Sequence, residues 1–506
     1  MVAARREIER KYEAGAPGLP DLTGAGPVAS VADRGTSALD AVYYDTADLR
    51  LSAAGLTLRR RTGGSDAGWH LKLPAGPGAR DEIQAPLGDT VPADLAALVR
   101  CRVRDRAVRP LVRLRTERAV RHLLAADGTL LAEASVDTVQ AERLADDTAD
   151  ETRTARWTEI EVELTDGADP AVLDQVEHRL EAAGVRRSTA ASKLERALAE
   201  TLPPEARPGR AAPEPPVTAG DHVLAHLRAQ RDTLLALDPA VRRDLPDAVH
   251  RMRVATRRLR SVLRSYATVL DRAATRPVGA ELKWLAGELG RGRDAEVLTE
   301  RLTAALDGLP EDLVTGPVGE RLRTWSAERA GAARRELLAA LDGTRYLALL
   351  DALDAVVDRP PLRPAAAGRP ARVLARVVRK EWRKLATALG DALALPPGPG
   401  RDVALHEARK QAKRARYAAE AAAPALDEAA GVASAAKGLQ TLLGDHQDGV
   451  MARQALRELA AAAERAGEST FAYGLLYGRE EQRAAEVETR LPAAWKELRK
   501  RTELPG

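Results

Sequence analysis

The sequence predicts an α+β multidomain protein, an antiparallel β domain followed by an all-α region, on three observations. Up to about residue 200, like residues recur at i and i+2, the period of a strand. Beyond about residue 220 the period turns helical, and alanine, leucine and arginine, all good helix formers, dominate. Within that helical region the same pattern is written twice. His250, Arg253, Arg257, Arg258 and Arg260 return as His406, Arg409, Lys413, Arg414 and Arg416, at identical offsets from the histidine. Lys283, Leu289-Gly290 and Asp294 are echoed by Lys437, Leu443-Gly444 and Asp448. A duplication of this kind predicts two related helical bundles.

Taken in order, strands are expected at EIERKY (7–12), LTLRRR (56–61), WHLKLP (69–74), LVRLRTERAV (111–120) and WTEIEVEL (157–164). Turn-rich stretches such as RTGGSDAG and LPAGPGARD separate them. One helical stretch, 169–183, interrupts the pattern. Residues 201–220, TLPPEARPGRAAPEPPVTAG, carry six prolines and read as a semi-rigid linker. With 506 residues the chain is too long for one core. The expected division is a domain over 1–200, the linker, and a helical domain over 221–500 with halves at 221–358 and 370–500.

Composition bounds the partners weakly. Charged residues make up 30% but the net charge is only +4, so placement of charge must identify a ligand, not its total. Cys101 is the one cysteine, which excludes an intrachain disulfide and a cysteine-rich metal site. The opening MVAARREIERKY lacks the apolar core of a signal peptide. No run approaches the ~18–20 apolar residues that span a bilayer. A cytoplasmic protein with no membrane partner is expected.

Each β segment presents a face of charges, and the signs separate by strand. Glu7, Glu9 and Lys11 share one face. So do Arg59 and Arg61, His70 and Lys72, Arg113 and Arg115, and Glu159, Glu161 and Glu163. A sheet with one solvated side is the ordinary explanation, but such sides mix signs and include Thr, Ser and Gln. If the sheet closes, these charges face a lumen. Arginine and lysine there suit phosphates, and clustered carboxylates suit hard divalent cations. Metal, polyphosphate and water together equip a site for phosphoryl transfer to water.

These residues resemble the CYTH domain, the triphosphate tunnel metalloenzymes. Glu7-Ile8-Glu9-Arg10-Lys11 matches the family's ExExK signature. It is followed in the family's order by YYDTADLRLSAAGLTLRRR (43–61), WHLKLP, the Arg113/Arg115 strand, EASVD ending at Asp137, EIEVEL from Glu159, and Ser192-Lys193. The resemblance implies an eight-stranded antiparallel tunnel with Mg²⁺ or Mn²⁺ held by Glu7, Glu9, Glu159 and Glu161. Glu133 and Asp137 are secondary acidic candidates. It implies phosphate binding by Lys11, Arg59, Arg61, Lys72, Arg113, Arg115 and Lys193. Family members hydrolyse inorganic, thiamine or nucleotide triphosphates, and some make cyclic AMP.

On a helical projection His250, Arg253, Arg257, Arg260 and Arg264 fall within an arc of roughly 80°. Met252, Ala255, Leu259, Val262 and Leu263 lie opposite. His406, Arg409, Lys413 and Arg416 repeat the arrangement. An ordinary solvated face softens such repulsion with acids at i+4, and the first copy has none between His250 and Arg264. A polyanionic ligand is therefore expected. The motif HxxRVxxRRLR, with LGRGRD (289–294) and LGDHQD (443–448), resembles the CHAD domain. That family implies two pseudo-symmetric bundles binding inorganic polyphosphate, here through the arc residues with Lys283, Arg293 and Lys437. Gln447 stands where Arg293 would repeat.

The pairing implies metal-dependent hydrolysis of a short linear phosphate, inorganic triphosphate first, in a protein localised to polyphosphate granules by its helical domain. Thiamine triphosphate and nucleotide triphosphates are the alternative substrates. A protein that grips polyphosphate without turnover is the competing reading, and the repeated glutamates disfavour it. Nucleic acid is disfavoured because aromatics, at 3%, offer few stacking platforms.

Overall fold

The computed structural model describes residues 3–14, 18–76, 78–144, 153–203 and 214–500. It divides into two units, at residues 1–213 and 214–506. Half of the linker expected at 201–220 lies outside the described residues, which stop at 203 and resume at 214.

The first unit is a closed antiparallel barrel. Its strands are β1 (Ala3–Glu13), β2 (Ser30–Asp45), β3 (Thr57–Thr62), β4 (Gly68–Pro74), β5 (Ala79–Ala85), β6 (Arg109–Leu124), β7 (Leu130–Arg143) and β8 (Thr154–Leu164). They run in the order β5-β4-β3-β2-β6-β7-β8-β1, and a two-residue β9 (Arg186–Arg187) pairs with β1. Strand β1 closes the ring by dividing its length. Ala3 to Ile8 pair with β5, and Glu9 to Glu13 pair with β8. The short helix α1 (Arg50–Ala53) follows β2, and α2 (Ala93–Val103) follows β5. Helices α3 (Ala171–Ala182) and α4 (Lys193–Thr201) complete the unit.

The polarity of this barrel is the reverse of an ordinary core. Its outer face is apolar where helices cover it. Helix α2 packs Leu95, Leu98 and Val99 on Leu58, Trp69, Leu71 and Ile83. Helix α3 packs Val172, Leu173, Val176 and Leu180 on Tyr12, Ile160 and Val162. Because side chains alternate along a strand, the residues between these point into the lumen, and they are charged. Helix α4 is held by a Ser192 cap that accepts from the Glu195 amide. It plugs one end, burying Leu194, Ala197 and Leu198 against Val112, Leu114, Val139 and Trp157.

The second unit is all helix: α5 (Ala219–Arg242), α6 (Ala248–Ser265), α7 (Arg272–Asp307), α8 (Val318–Asp342), α9 (Thr344–Asp358), α10 (Pro370–Ala394), α11 (Pro399–Ala422), α12 (Asp427–Arg465) and α13 (Phe471–Lys500). The duplicated motifs open α6 and α11, and these two helices meet at the centre. Tyr266 donates to the Ala418 carbonyl at 2.7 Å, and Arg258 pairs with Glu420 at 2.9 Å. The apolar stripe of α6 (Met252, Ala255, Leu259, Val262) is buried, as its spacing requires. Each half repeats one device. Gly290 and Gly444 leave room on α7 and α12 for the guanidinium of Arg253 and Arg409, where a Cβ would stand 3.1 and 3.4 Å from the nearest nitrogen.

Candidate functional site

The lumen encloses about 720 Å³ and is lined from nearly every strand. On β1 Glu7, Glu9 and Lys11 point inward; on β3 Arg59 and Arg61; on β4 Lys72; on β5 Arg80 and Glu82; on β8 Glu161 and Glu163. Cation and carboxylate are interleaved. Lys72 reaches Glu7 at 2.5 Å, and Lys11 pairs with Glu161 and with Glu9 at 3.2 Å. Arg118 bridges Asp137 and Glu161, each at 2.6 Å. His70 is fully buried, Nδ1 on Glu82 at 3.1 Å and Nε2 on the Asp66 carbonyl at 2.9 Å.

Burial and charge shift these groups in opposite directions. Desolvation raises the Glu7 carboxyl to about 7 against the pull of Lys72. The same burial acts on Glu9, but Lys11 and Lys72 overcome it and hold that carboxyl at about 2. Burial, with Glu9 and Glu161 nearby, also raises Glu163. Arg61 is lowered to about 9 by burial and by the charges of Arg59 and Arg118.

Three residues stand elsewhere than the sequence suggests. Arg113 and Arg115 are on the outer face, paired with Asp40 and Glu142. The lumen side of β6 near the plugged end is apolar, with Val112 and Leu114 packed on α4. The arginine of β6 that does reach the lumen is Arg118, of opposite parity. Glu159 does not line the cavity. It accepts from the Trp157 indole at 2.6 Å and pairs with Lys193 at 2.8 Å. Glu163 takes its place on the wall beside Glu9, its partner in the β1–β8 register. Glu133 lies at the wall near His122, 3.6 Å away.

Asp137, Glu159 and Glu161 can bring ligand atoms within 4.8 Å of one another, all buried. The Lys193 ammonium sits among them at 2.8, 2.8 and 2.6 Å. Although burial opposes it, these carboxylates raise the Lys193 pKa well above the lysine range. A lysine of α4 thus holds the position that a cation would take.

In the helical unit the repeated arcs converge. Arg253 is clamped by Asp294 at 2.8 Å, and Arg409 lies 3.9 Å from Asp448. The acids absent from the helix's own i+4 positions are therefore supplied to some extent by α7 and α12. Arg416 pairs with Glu420 at 2.7 Å, Arg293 turns to Glu296 on its own helix at 3.0 Å, and His406 meets Gln447 at 2.5 Å. His250, Lys283 and Lys437 are exposed. Among the described residues Arg257, Arg260, Arg264 and Lys413 form no ion pair. Burial, then Arg257, Arg409 and Arg253, push the Lys413 ammonium down to about 6.

A CYTH domain model matches residues 5–198 and a CHAD domain model residues 225–457. The Mycobacterium tuberculosis protein Rv2226, whose name describes it as uncharacterized, is 43% identical over 514 aligned positions, spanning 98% of this chain and 97% of its own. The chain belongs to the CYTH–CHAD family. Two solved structures are similar over 56% of it at 24% identity. They are PptA from Streptomyces chartreusis (TM-score 0.48, all of that chain) and the CHAD domain from the plant Ricinus communis (TM-score 0.45, 94% of that chain).

Membership supports a hydrolase or cyclase kind of activity in the CYTH tunnel, dependent on a metal. The donor set fits a hard cation. Glu7, Glu9, Glu161 and Glu163 offer only oxygen, and burial raises Glu7 and Glu163, a cost that a bound cation would relieve. No helix among the described residues is long and apolar enough to cross a membrane.

The placement of the β6 arginines has a measurable outcome. Arg118→Lys keeps the charge but loses the fork, and should lower kcat/KM about tenfold in a phosphate-release assay. Arg113→Ala with Arg115→Ala should stay within about twofold of the parent, because both face water.

Proposed function

We propose that the CYTH tunnel hydrolyses inorganic triphosphate with Mg²⁺ or Mn²⁺, and that the CHAD unit binds inorganic polyphosphate and localises the enzyme to it. The observation that carries the hydrolase reading is the interleaving in one lumen of Arg59, Arg61, Lys72 and Arg118 with Glu7, Glu9, Glu161 and Glu163. A linear triphosphate can exchange its oxygens for the carboxylates that now occupy those cations. Glu7, Glu9, Glu161 and Glu163 would hold the ion, which when bound neutralises phosphate charge and polarises the phosphorus.

The arginines and lysines orient the chain and balance the charge that grows on the leaving pyrophosphate. Water adds at the terminal phosphorus and the bridging P–O bond breaks, its electron pair leaving with pyrophosphate. The water oxygen and one proton stay on the orthophosphate, and the second proton goes to solvent.

For the helical unit the support is like charge without compensation. Arg257 crowds Lys413 and Arg264 crowds Arg260, and an anion lying beside them would relieve both. Gly290→Ala tests the clamp beside them. The new Cβ would crowd the Arg253 guanidinium. A gain of up to about 1 kcal/mol in helix propensity should roughly cancel the strain, leaving the melting temperature near the parent's. Polyphosphate affinity should fall severalfold by calorimetry.

The deciding experiment offers triphosphate, ATP, thiamine triphosphate and long-chain polyphosphate to the full chain, each with Mg²⁺, Mn²⁺ or EDTA. Metal-dependent release from triphosphate above the others is the expected result. Tight polyphosphate binding without release from any substrate would overturn the enzyme reading.

A further inference from the structure

The helical unit carries a second, smaller cavity of about 270 Å³, away from the central cluster. It lies between the end of α6, the turn that follows it, and α10. Arg264, Arg272, Arg376, Lys380 and Lys384 surround it. Only Lys384 has a carboxylate partner among the described residues, Glu381 at 2.7 Å. Two polar side chains at its wall are more than nine-tenths buried: Glu381, 3% exposed, and Ser265, 6% exposed. Among the described residues Glu381 Oε2 and Ser265 Oγ have no hydrogen-bond partner. Buried polar atoms are normally hydrogen-bonded, so a ligand that satisfies these two has a strong purchase here.

We propose that this cavity binds the terminal phosphate of a condensed-phosphate chain. The choice of ligand follows from the mixed wall. Cations alone would suit any phosphate oxygen. A buried carboxylate oxygen among them requires a hydrogen-bond donor from the ligand. Each internal unit of a linear polyphosphate keeps one strongly acidic oxygen, ionised in water, and so carries no hydroxyl to donate. The end unit keeps a titratable P–OH, which can donate to Glu381 while its other oxygens accept from Ser265 and the surrounding cations. The volume, about that of nine waters, admits a chain end. Arg253, Arg257, Arg260 and Arg264 descend α6 toward it over about 16 Å, so an anchored chain has a cationic path back to the centre. Crowding supports that path. Arg260 and Arg414 are both lowered, by burial first and by the Arg264 charge next. The proposal rests on the polyphosphate reading of this unit. A hydroxylated phosphomonoester presents the same group, a P–OH or C–OH beside phosphate oxygens, and the test separates the two sources.

The test uses the full chain and a polyphosphate of one fixed length, with both ends free or both capped as methyl esters, which carry no donor. Capping should weaken wild-type binding about tenfold, the worth of a charge-assisted hydrogen bond. Arg376→Gln with Lys380→Gln, and separately Ser265→Ala with Glu381→Gln, should bind both forms alike, at the capped level. Ser265→Ala alone removes only an unpartnered hydroxyl, so it keeps the test valid if the double variants misfold. It should narrow the difference between capped and free chains. Lys413→Met at the centre should weaken both forms equally. Equal wild-type affinity for capped and free chains would overturn the chain-end assignment while leaving polyphosphate binding intact. Binding of glucose 6-phosphate that Arg376→Gln and Lys380→Gln abolish, with no effect of capping, would overturn it in favour of a phosphomonoester. Failure of either chain to bind the wild type would instead remove the polyphosphate reading itself.

Discussion

Glu9→Gln is expected to lower metal-dependent phosphate release at least about a hundredfold, the scale on which a preorganised charge at a reacting phosphoryl group matters. Glu9 is, with Glu161, a permanent negative charge of the acidic wall. Lys11 and Lys72 hold its carboxyl at about 2 despite burial, so it is ionised at any working pH. Glu7 beside it stands at about 7 and Glu163 is also raised, so neither substitutes for it near neutrality. The amide cannot replace the charge. The fold should survive, because Lys11 keeps Glu161 and Lys72 keeps Glu7. The measurement pairs a phosphate-release assay with calorimetric titration of Mn²⁺ in the absence of substrate. Both readouts should fall together while polyphosphate binding by the helical unit is unchanged. Full activity in this variant would remove the acidic wall from the chemistry.

Lys413→Met is expected to stabilise the free protein and weaken its polyphosphate complex at once. The buried ammonium faces Arg253, Arg257 and Arg409, with Asp448 as the opposing charge. Between about pH 6 and the ordinary lysine value of 10.5, the unfolded chain binds a proton here that the folded chain does not. Stability therefore rises with pH through that window, by up to about 1.4 kcal/mol per unit from this one site. The substitution should flatten that slope in thermal melts between pH 6 and 9. A polyanion favours the ammonium, so binding takes up a proton and affinity falls as pH rises, by at most about tenfold per unit. Lys413→Met should bind more weakly and with less dependence on pH. A slope identical to the parent's would place the proton elsewhere.

The strand faces of β1, β3, β4 and β8 were legible because each is short and alternates cleanly. β2 was not. A bulge between Asp33 and Thr36, with Gly35 at φ 85°, shifts its register and hides the alternation. The β6 arginines misled for a related reason. Arg113 and Arg115 share a face, but it is the outer one, because the lumen end they flank is filled by α4 rather than by ligand. Arg118 follows them at the other parity, and only the register Ser37↔Arg118 assigns it to the lumen. Arg80 sits in LPAGPGARD, whose glycines and prolines read as turn although β5 begins at Ala79, and Glu82 follows it in that strand. In the helical unit the duplicated motif located both central helices. The carboxylates that face Arg253 and Arg409 come from α7 and α12, which no single-helix pattern reveals.

The interleaving of charge inside the barrel governs what can enter. Among the described residues nine cations and seven carboxylates line the lumen, so it is close to electroneutral before any ligand arrives. A bare polyanion would free the carboxylates to repel it, and a bare divalent ion would free the lysines. Only a guest that carries both signs exchanges partners without leaving charge behind. The tunnel should therefore bind the metal–triphosphate complex more tightly than either component alone.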